Sequence, residues 1–356
     1  MSATLAEIAD RAEIADLLTA RARAADRFDV PLMRACHPSD ATDNHGTYRG
    51  PMHGFIDTLE SAMRSGPFCR TKQHLIGNML FERRGADWFV ETCHVAHEEF
   101  AAGSDWIAYD IGGRYLDTCR RVDGRWLIQH RDIVYDWSRI TPAGERDLDP
   151  LTGTRDAADP LYAGRPQTRG QLPKIIPPEG APPMNDLDRL LSKQAIAEVL
   201  YRRARAGDRA DAELAHTCYH PGAIERHGVF DGLATDFIDV ASFTRPKPGS
   251  PIKGMQHVVT NILADFEDDD TAFVESYHVA WCQMTDGTDA TIGGRYLDQF
   301  ARRDGRWAIV HRDVIFDWSR VEPETEKFWA KHPAADFLYG KRGAEDPLYQ
   351  YAKRGS

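Results

Sequence analysis

The sequence predicts an α+β protein built from two similar units in tandem, and two observations carry that prediction. The first is a repeat: GGRYLDTCRRVDGRWLIQHRDIVYDWSR, Gly112 to Arg139, returns as GGRYLDQFARRDGRWAIVHRDVIFDWSR, Gly293 to Arg320. The offset is a constant 181 residues (293 minus 112) and roughly two thirds of the positions are identical, so the chain carries an internal duplication. The second is order, because in each copy helical periodicity comes first and strand-like runs follow, as in a unit that segregates its helices from its sheet. At 356 residues, 42% of them hydrophobic, the chain is long enough to bury two cores.

Leu5, Ile8, Ile14, Leu17 and Leu18, with Ala between them, predict an amphipathic helix over residues 4–25. Leu187, Leu190, Leu191, Ile196, Val199 and Leu200 predict its twin. A short second helix is expected at Val30–Cys36 and at Ala212–Tyr219, stopped by the prolines of His37-Pro38 and His220-Pro221. A third is expected near Phe55–Met63 and near Thr235–Phe243. Strands then begin at Gln73–Arg83 and Gln256–Phe266 and continue through WFVETCHVAHEEF and AFVESYHVAWCQM. The repeated stretch supplies two more in each copy, joined across Asp123-Gly124 and Asp304-Gly305, a pair that favours a tight hairpin. Gly112-Gly113 and Gly293-Gly294 fall inside strand text, where a bulge is the natural reading. Each unit is thus three helices and a four-stranded, mostly antiparallel sheet, with boundaries at 1–140 and 185–322. Residues 141–184, rich in Pro and Gly, read as linker and extension, and 323–356 as a second extension. Asp159-Pro160-Leu161-Tyr162 recurs as Asp346-Pro347-Leu348-Tyr349, so the extensions are expected to pack on a unit or a partner.

A net charge of −11 argues against a nucleic-acid partner, since phosphates require clustered Lys and Arg. No apolar run reaches the roughly 20 residues of a membrane span, and MSATLAEIADRAEIADLL lacks a signal pattern, so no membrane partner and a cytoplasmic location are expected. The six Cys show no metal spacing and read as free thiols. Neither a P-loop nor a metal-binding His cluster is present at usable spacing among the 14 His.

The candidate chemistry sits at matched places in the two copies. Asp26 and Asp208 end the first helix, and His74 and His257 open the first long strand; each Asp either punctuates its helix or orients its His as a general base. Asn78 and Asn261 follow their His by four residues, hence on one strand face, and that face then lines either a cavity or a satisfied polar network. His94 and His278, on the next strand, are equally readable as packed or functional. On the last strand Arg131-Asp132 and Arg312-Asp313 alternate faces, and an inward Arg needs a carboxylate or an anionic ligand. Tyr115 and Tyr296 fit either core or site.

With the helix Asp, the Gln-His-x-x-x-Asn strand and GGRY…DGRW…HRD, each unit resembles a SnoaL-like domain of the NTF2-like superfamily, over Leu5–Arg139 and Leu187–Arg320. The resemblance implies two tandem NTF2-like cones, each a strongly bent sheet wrapped by three helices around an apolar pocket that needs neither metal nor organic cofactor. It implies a cofactor-independent lyase that removes water, or another leaving group such as formaldehyde, from an apolar aromatic or alicyclic molecule, as in catabolism of lignin-derived aromatic dimers. Within it Asp26, His74 and Arg131, and Asp208, His257 and Arg312, take the catalytic places. Arg21, Asn78, His94 and Tyr115, and Tyr201, Arg203, Asn261, Tyr277, His278 and Tyr296, take substrate-binding ones. Tyr201 and Tyr277 stand where the first copy has Thr19 and Cys93, so the two pockets are not equivalent. The same resemblance leaves open a non-catalytic binding or scaffold protein, an isomerase and an epoxide hydrolase. It also implies a pseudo-dimer within one chain, with further homo-oligomerisation through the extensions.

Overall fold

The computed structural model describes residues 4–64, 69–143, 152–156, 158–162, 186–240 and 250–324, with 341, 343, 345 and 347. In the first unit α1 (Leu5–Asp26) and α2 (Val30–Ala35) precede β1 (Thr42–Asn44), β2 (Arg49–Pro51) and α3 (Met52–Arg64). Four long strands follow, β3 (Cys69–Arg84), β4 (Asp87–Ala102), β5 (Asp105–Val122) and β6 (Arg125–Pro142). The second unit repeats the order: α4 (Asp186–Arg209), α5 (Ala212–Thr217), β7 (Tyr219–His227), β8 (Phe230–Leu233), α6 (Ala234–Val240), β9 (Ile252–Phe266), β10 (Thr271–Met284), β11 (Thr288–Arg303) and β12 (Arg306–Pro323). The fold is α+β, two tandem NTF2-like units.

Local chemistry explains the boundaries. Thr4 and Glu7 cap α1 reciprocally, and Asp29 and Asp211 cap the short helices by accepting from Leu32 N and Leu214 N. Asp123-Gly124 and Asp304-Gly305 have positive φ at both residues, as a tight turn between right-twisted strands demands.

Among the described residues each sheet has six strands, not the expected four, in the orders β2-β1-β6-β5-β4-β3 and β8-β7-β12-β11-β10-β9. The additional strands are short and polar in the first unit, TDN and RGP, too brief for period-two alternation to register. Among the named strands, only their junctions with the long strands, β1 with β6 and β7 with β12, are parallel. The expected helix reaching Tyr219 stops at Thr217, and β7 takes up the chain there. The last part of the expected Thr235–Phe243 helix, and most of the two extensions, lie outside the described residues. In each unit the helices close over one face of the sheet, burying Ile14, Leu18, Met33, Trp88 and Ile128 in the first and Ile196, Leu200, Ile238, Val274 and Phe300 in the second.

The two units meet through polar contacts of high definition. Arg27, at the end of α1, and Arg295 on β11 share the carboxylates of Asp159 and Asp317 at 2.9–3.2 Å, and all four side chains are at most 2% exposed. Asp159 belongs to the segment 152–162, which ends in a 3-10 turn at Pro160–Tyr162 and lies between the units. Glu275 also stands 3.6 Å from Arg295 and pairs with Arg23, so the buried cations and anions compensate one another, which is what permits their burial.

Candidate active site

Both Asp–His pairs form. In the first cone Asp26 is fully buried and accepts from His74 Nδ1 at 2.5 Å and from the His74 backbone N–H at 3.0 Å. In the second, Asp208 accepts from His257 Nδ1 at 2.7 Å and its backbone N–H at 3.0 Å. The C-terminal end of the long helix thus grips the first long strand by main chain and side chain together. Burial would raise the Asp26 carboxyl, but the charge and hydrogen bond of His74 outweigh it and hold it below the usual range.

A second motif repeats behind each dyad as a column of stacked groups. His278 lies on Tyr296 at 4.3 Å, Arg312 lies over the other Tyr296 face at 4.1 Å, and Asp298 clasps Arg312 Nε and Nη2 at 2.7 and 2.8 Å. His94, Tyr115, Arg131 and Asp117 form the same column in the first cone, at 4.1, 4.1, 2.7 and 2.7 Å. Arg131 and Arg312 are the inward members of their pairs, whereas Asp132 bonds Asn44 near the surface and Asp313 bonds His311. Sequence reasoning missed Asp117 and Asp298; the signal was present in the shared text GGRYLD, with each Asp opposite its Arg across the β5–β6 or β11–β12 ladder. The paired glycines make room for the column at a bulge in each ladder, since a Cβ on Gly294 would stand 2.1 Å from Ile315 O and 2.9 Å from His278 Cε1. Gly294→Ala is therefore expected to destabilise the chain by about 1–3 kcal/mol, read by thermal denaturation.

Four expected substrate contacts lie elsewhere. Asn78 and Asn261 both have φ of 50° and sit in β-bulges, and the extra residue cancels the alternation that was to place them on the face of His74 and His257. Asn78 is exposed. Asn261 instead crosses to the other unit, donating to His74 O at 2.8 Å and accepting from Ile76 N at 2.9 Å, and so satisfies the open edge of β3. Tyr277 shares a strand face with Glu275, which pairs with Arg23 of the first unit, and turns away from the cone that the adjacent His278 faces. Tyr201 is 52% exposed on α4, two residues and more than half a turn from the buried Arg203.

Arg21 and Arg203 are buried with different partners. Arg21 donates to His37 Nε2 at 3.0 Å, and Arg203 donates to Tyr219 Oη at 2.9 Å, which in turn donates to Glu225 at 2.6 Å. Burial and the nearby Arg21 and Arg131 hold His37 neutral; burial does the same for His278.

The cones then diverge at the dyad. In the first, His74 Nε2 faces Glu98 at 3.5 Å, and Lys72 pairs with Glu98 at 2.8 Å, so carboxylates stand at both ring nitrogens. In the second, Met255 and Cys282 occupy the corresponding wall. There a cavity of about 260 Å³ is lined by His257, His278, Arg203, Arg312, Tyr296 and His227, with apolar walls from Ile252, Met255, Ile292, Val314 and Phe316. Among the described residues no group of three His, Cys, Asp or Glu side chains is placed to hold a metal ion.

A family model described as a SnoaL-like domain matches the chain twice, at residues 6–132 and 188–313. No curated protein matches it. Among solved structures it is similar to a candidate scytalone dehydratase from Novosphingobium aromaticivorans, at 20% identity over 40% of this chain and 99% of that one, with a TM-score of 0.35. A hexachlorocyclohexane dehydrochlorinase, LinA-type3, from Novosphingobium barchaimii is 18% identical over 40% and 99%, with a TM-score of 0.36.

Proposed function

Because the chain belongs to the SnoaL-like domain family in both of its halves, we propose that its second cone is a cofactor-independent lyase site for a small aromatic or alicyclic molecule. The observation that carries this reading is His257, oriented by Asp208 at 2.7 Å and lining an apolar cavity of about 260 Å³ beside Arg312. With Nδ1–H donated to the carboxylate, Nε2 carries the lone pair and takes a proton from substrate carbon. The Arg312 guanidinium, locked by Asp298 and Tyr296, presents fixed positive charge to the negative charge that develops as the leaving group departs. Met255, Ile292 and Val314 give the site apolar walls, and in such surroundings that interaction is stronger than in water.

The first cone supports the binding or scaffold reading instead. Glu98 meets His74 Nε2, the nitrogen that would have to receive the proton. An epoxide hydrolase built on Arg131-Asp132 or Arg312-Asp313 is disfavoured, because each Asp points away from its Arg toward the surface.

Nitrobenzisoxazole tests the base directly, since it opens on loss of one C–H proton and its nitrophenolate departs unaided. His257→Ala is expected to lower that rate by about 10²–10⁴-fold, while His74→Ala keeps most of it. Equal loss from both, or from neither, would assign the chemistry wrongly.

A further inference from the structure

We propose that Glu225 and His227 are a second acid–base pair of the second cone, with His227 the general acid that protonates an oxygen leaving group. This rests on the reading of His257 as the base. His227 is the last residue of β7 and His257 lies in β9, four strands away in the order β7-β12-β11-β10-β9, yet both line one cavity. The bend of the sheet therefore brings two imidazoles from well-separated strands to one cavity. The His278 ring, in the strand beside β9, lies 6.4 Å from that of His257 and lines the same cavity.

His227 is built for this role as His257 is built for its own. Its Nδ1 lies 3.2 Å from Glu225 Oε1, and its ring stacks on Phe237 at 4.7 Å. Glu225 is fully buried and held by Tyr219 and Arg203, and its neighbour across the ladder is Arg312. A carboxylate so fixed engages Nδ1–H of the ring, so that in the imidazolium form Nε2–H is the proton left for the substrate. The arrangement recurs in the first cone, where Asp43 contacts His45 Nδ1 and His45 stacks on Phe55 at 4.0 Å.

The step balances within the substrate and the two rings. His257 Nε2 accepts the proton from carbon, the C–H electron pair becomes the new π bond, and the bond to oxygen breaks. His227 delivers its proton to that oxygen, which leaves as water or an alcohol. A halide needs no such proton, so the pair assigns the cone to hydroxyl or alkoxy substrates.

The test compares two probes of one reaction on full-length protein. Unsubstituted benzisoxazole releases a poor phenolate and nitrobenzisoxazole a good one. His227→Gln is expected to lower turnover of the unsubstituted probe by about 10²-fold, and to lower that of the nitro probe at least tenfold less. Glu225→Gln, which keeps the shape of the side chain, should reproduce the selective loss. Retained turnover of the nitro probe shows that the variant is folded and that the base still works. Equal losses on both probes, including no loss on either, overturn the acid role. Loss of the base reading shows separately, as a His257→Ala protein that turns over the nitro probe normally.

Discussion

Asn in place of Asp208 is expected to lower kcat of the second cone by about 10²–10⁴-fold with little change in KM. The side chain keeps its size, but its amide can donate toward His257 Nδ1, where the carboxylate could only accept. The imidazole then carries its proton on Nε2, the nitrogen that faces the cavity, and the base is lost without loss of the site. The KM-against-kcat split separates this from damage to binding, and a chemical-shift titration of the His257 ring would show the changed tautomer. If Asp208→Asn kept its full kcat, Asp208 would be no more than the main-chain anchor for β9 that its contact with His257 N already makes it.

Asp159→Ala is expected to cost about 3–5 kcal/mol, because it removes one of the carboxylates that balance two buried cations. Arg295 loses two hydrogen bonds of 2.9 Å and Arg27 one of 3.2 Å, leaving Asp317 to serve both and Glu275, 3.6 Å from Arg295, to share that cation. Urea denaturation would read the loss, and an unchanged midpoint would show that the cluster contributes nothing. The same group makes the junction sensitive to acid. Burial pushes the Asp159 carboxyl up, but Arg295 and Arg27 outweigh it and hold the group below its ordinary range. A carboxylate depressed on folding stabilises the native state above its unfolded value, near 4, and that contribution disappears as pH falls through the lower folded value. Stability at neutral pH should therefore include this contribution, and acid unfolding should set in below about pH 4.

Much of this was legible in the chain. The duplication gave the architecture twice, and the turn and bulge glycines named their own positions. Asp26 with His74, and Asp208 with His257, could be paired because a helix end and a strand start carry the same two residues at nearly the same spacing in both copies. Glu225 and His227 were equally duplicated, as acid-x-His at 43–45 and 225–227, but on strands too short or too polar in pattern to be recognised.

The misplaced residues share one cause. Asn78 and Asn261 were assigned by counting two residues per face, and a single bulge reverses that count for everything beyond it. No periodicity announces a bulge at a residue that is not glycine. Tyr277 and Tyr201 were assigned from their difference from the first copy, which says that a position has a different duty without saying on which surface.

The sequence by itself determined the class of fold, its duplication and the residue types at each dyad, because these depend on local pattern and on comparison of the chain with itself. Tertiary structure decided which face each side chain takes and which unit each contact serves. Asn261 and Gln73 come from matching motifs, yet both were spent on the junction, Asn261 on the edge of β3 and Gln73 on Gly294 O and Trp318 Nε1. It also decided that Glu98 faces His74 while Met255 and Cys282 line the wall at His257. Such differences arise between strands far apart in sequence, where packing geometry rather than spacing sets the neighbours, and they are what make two copies of one fold chemically unlike.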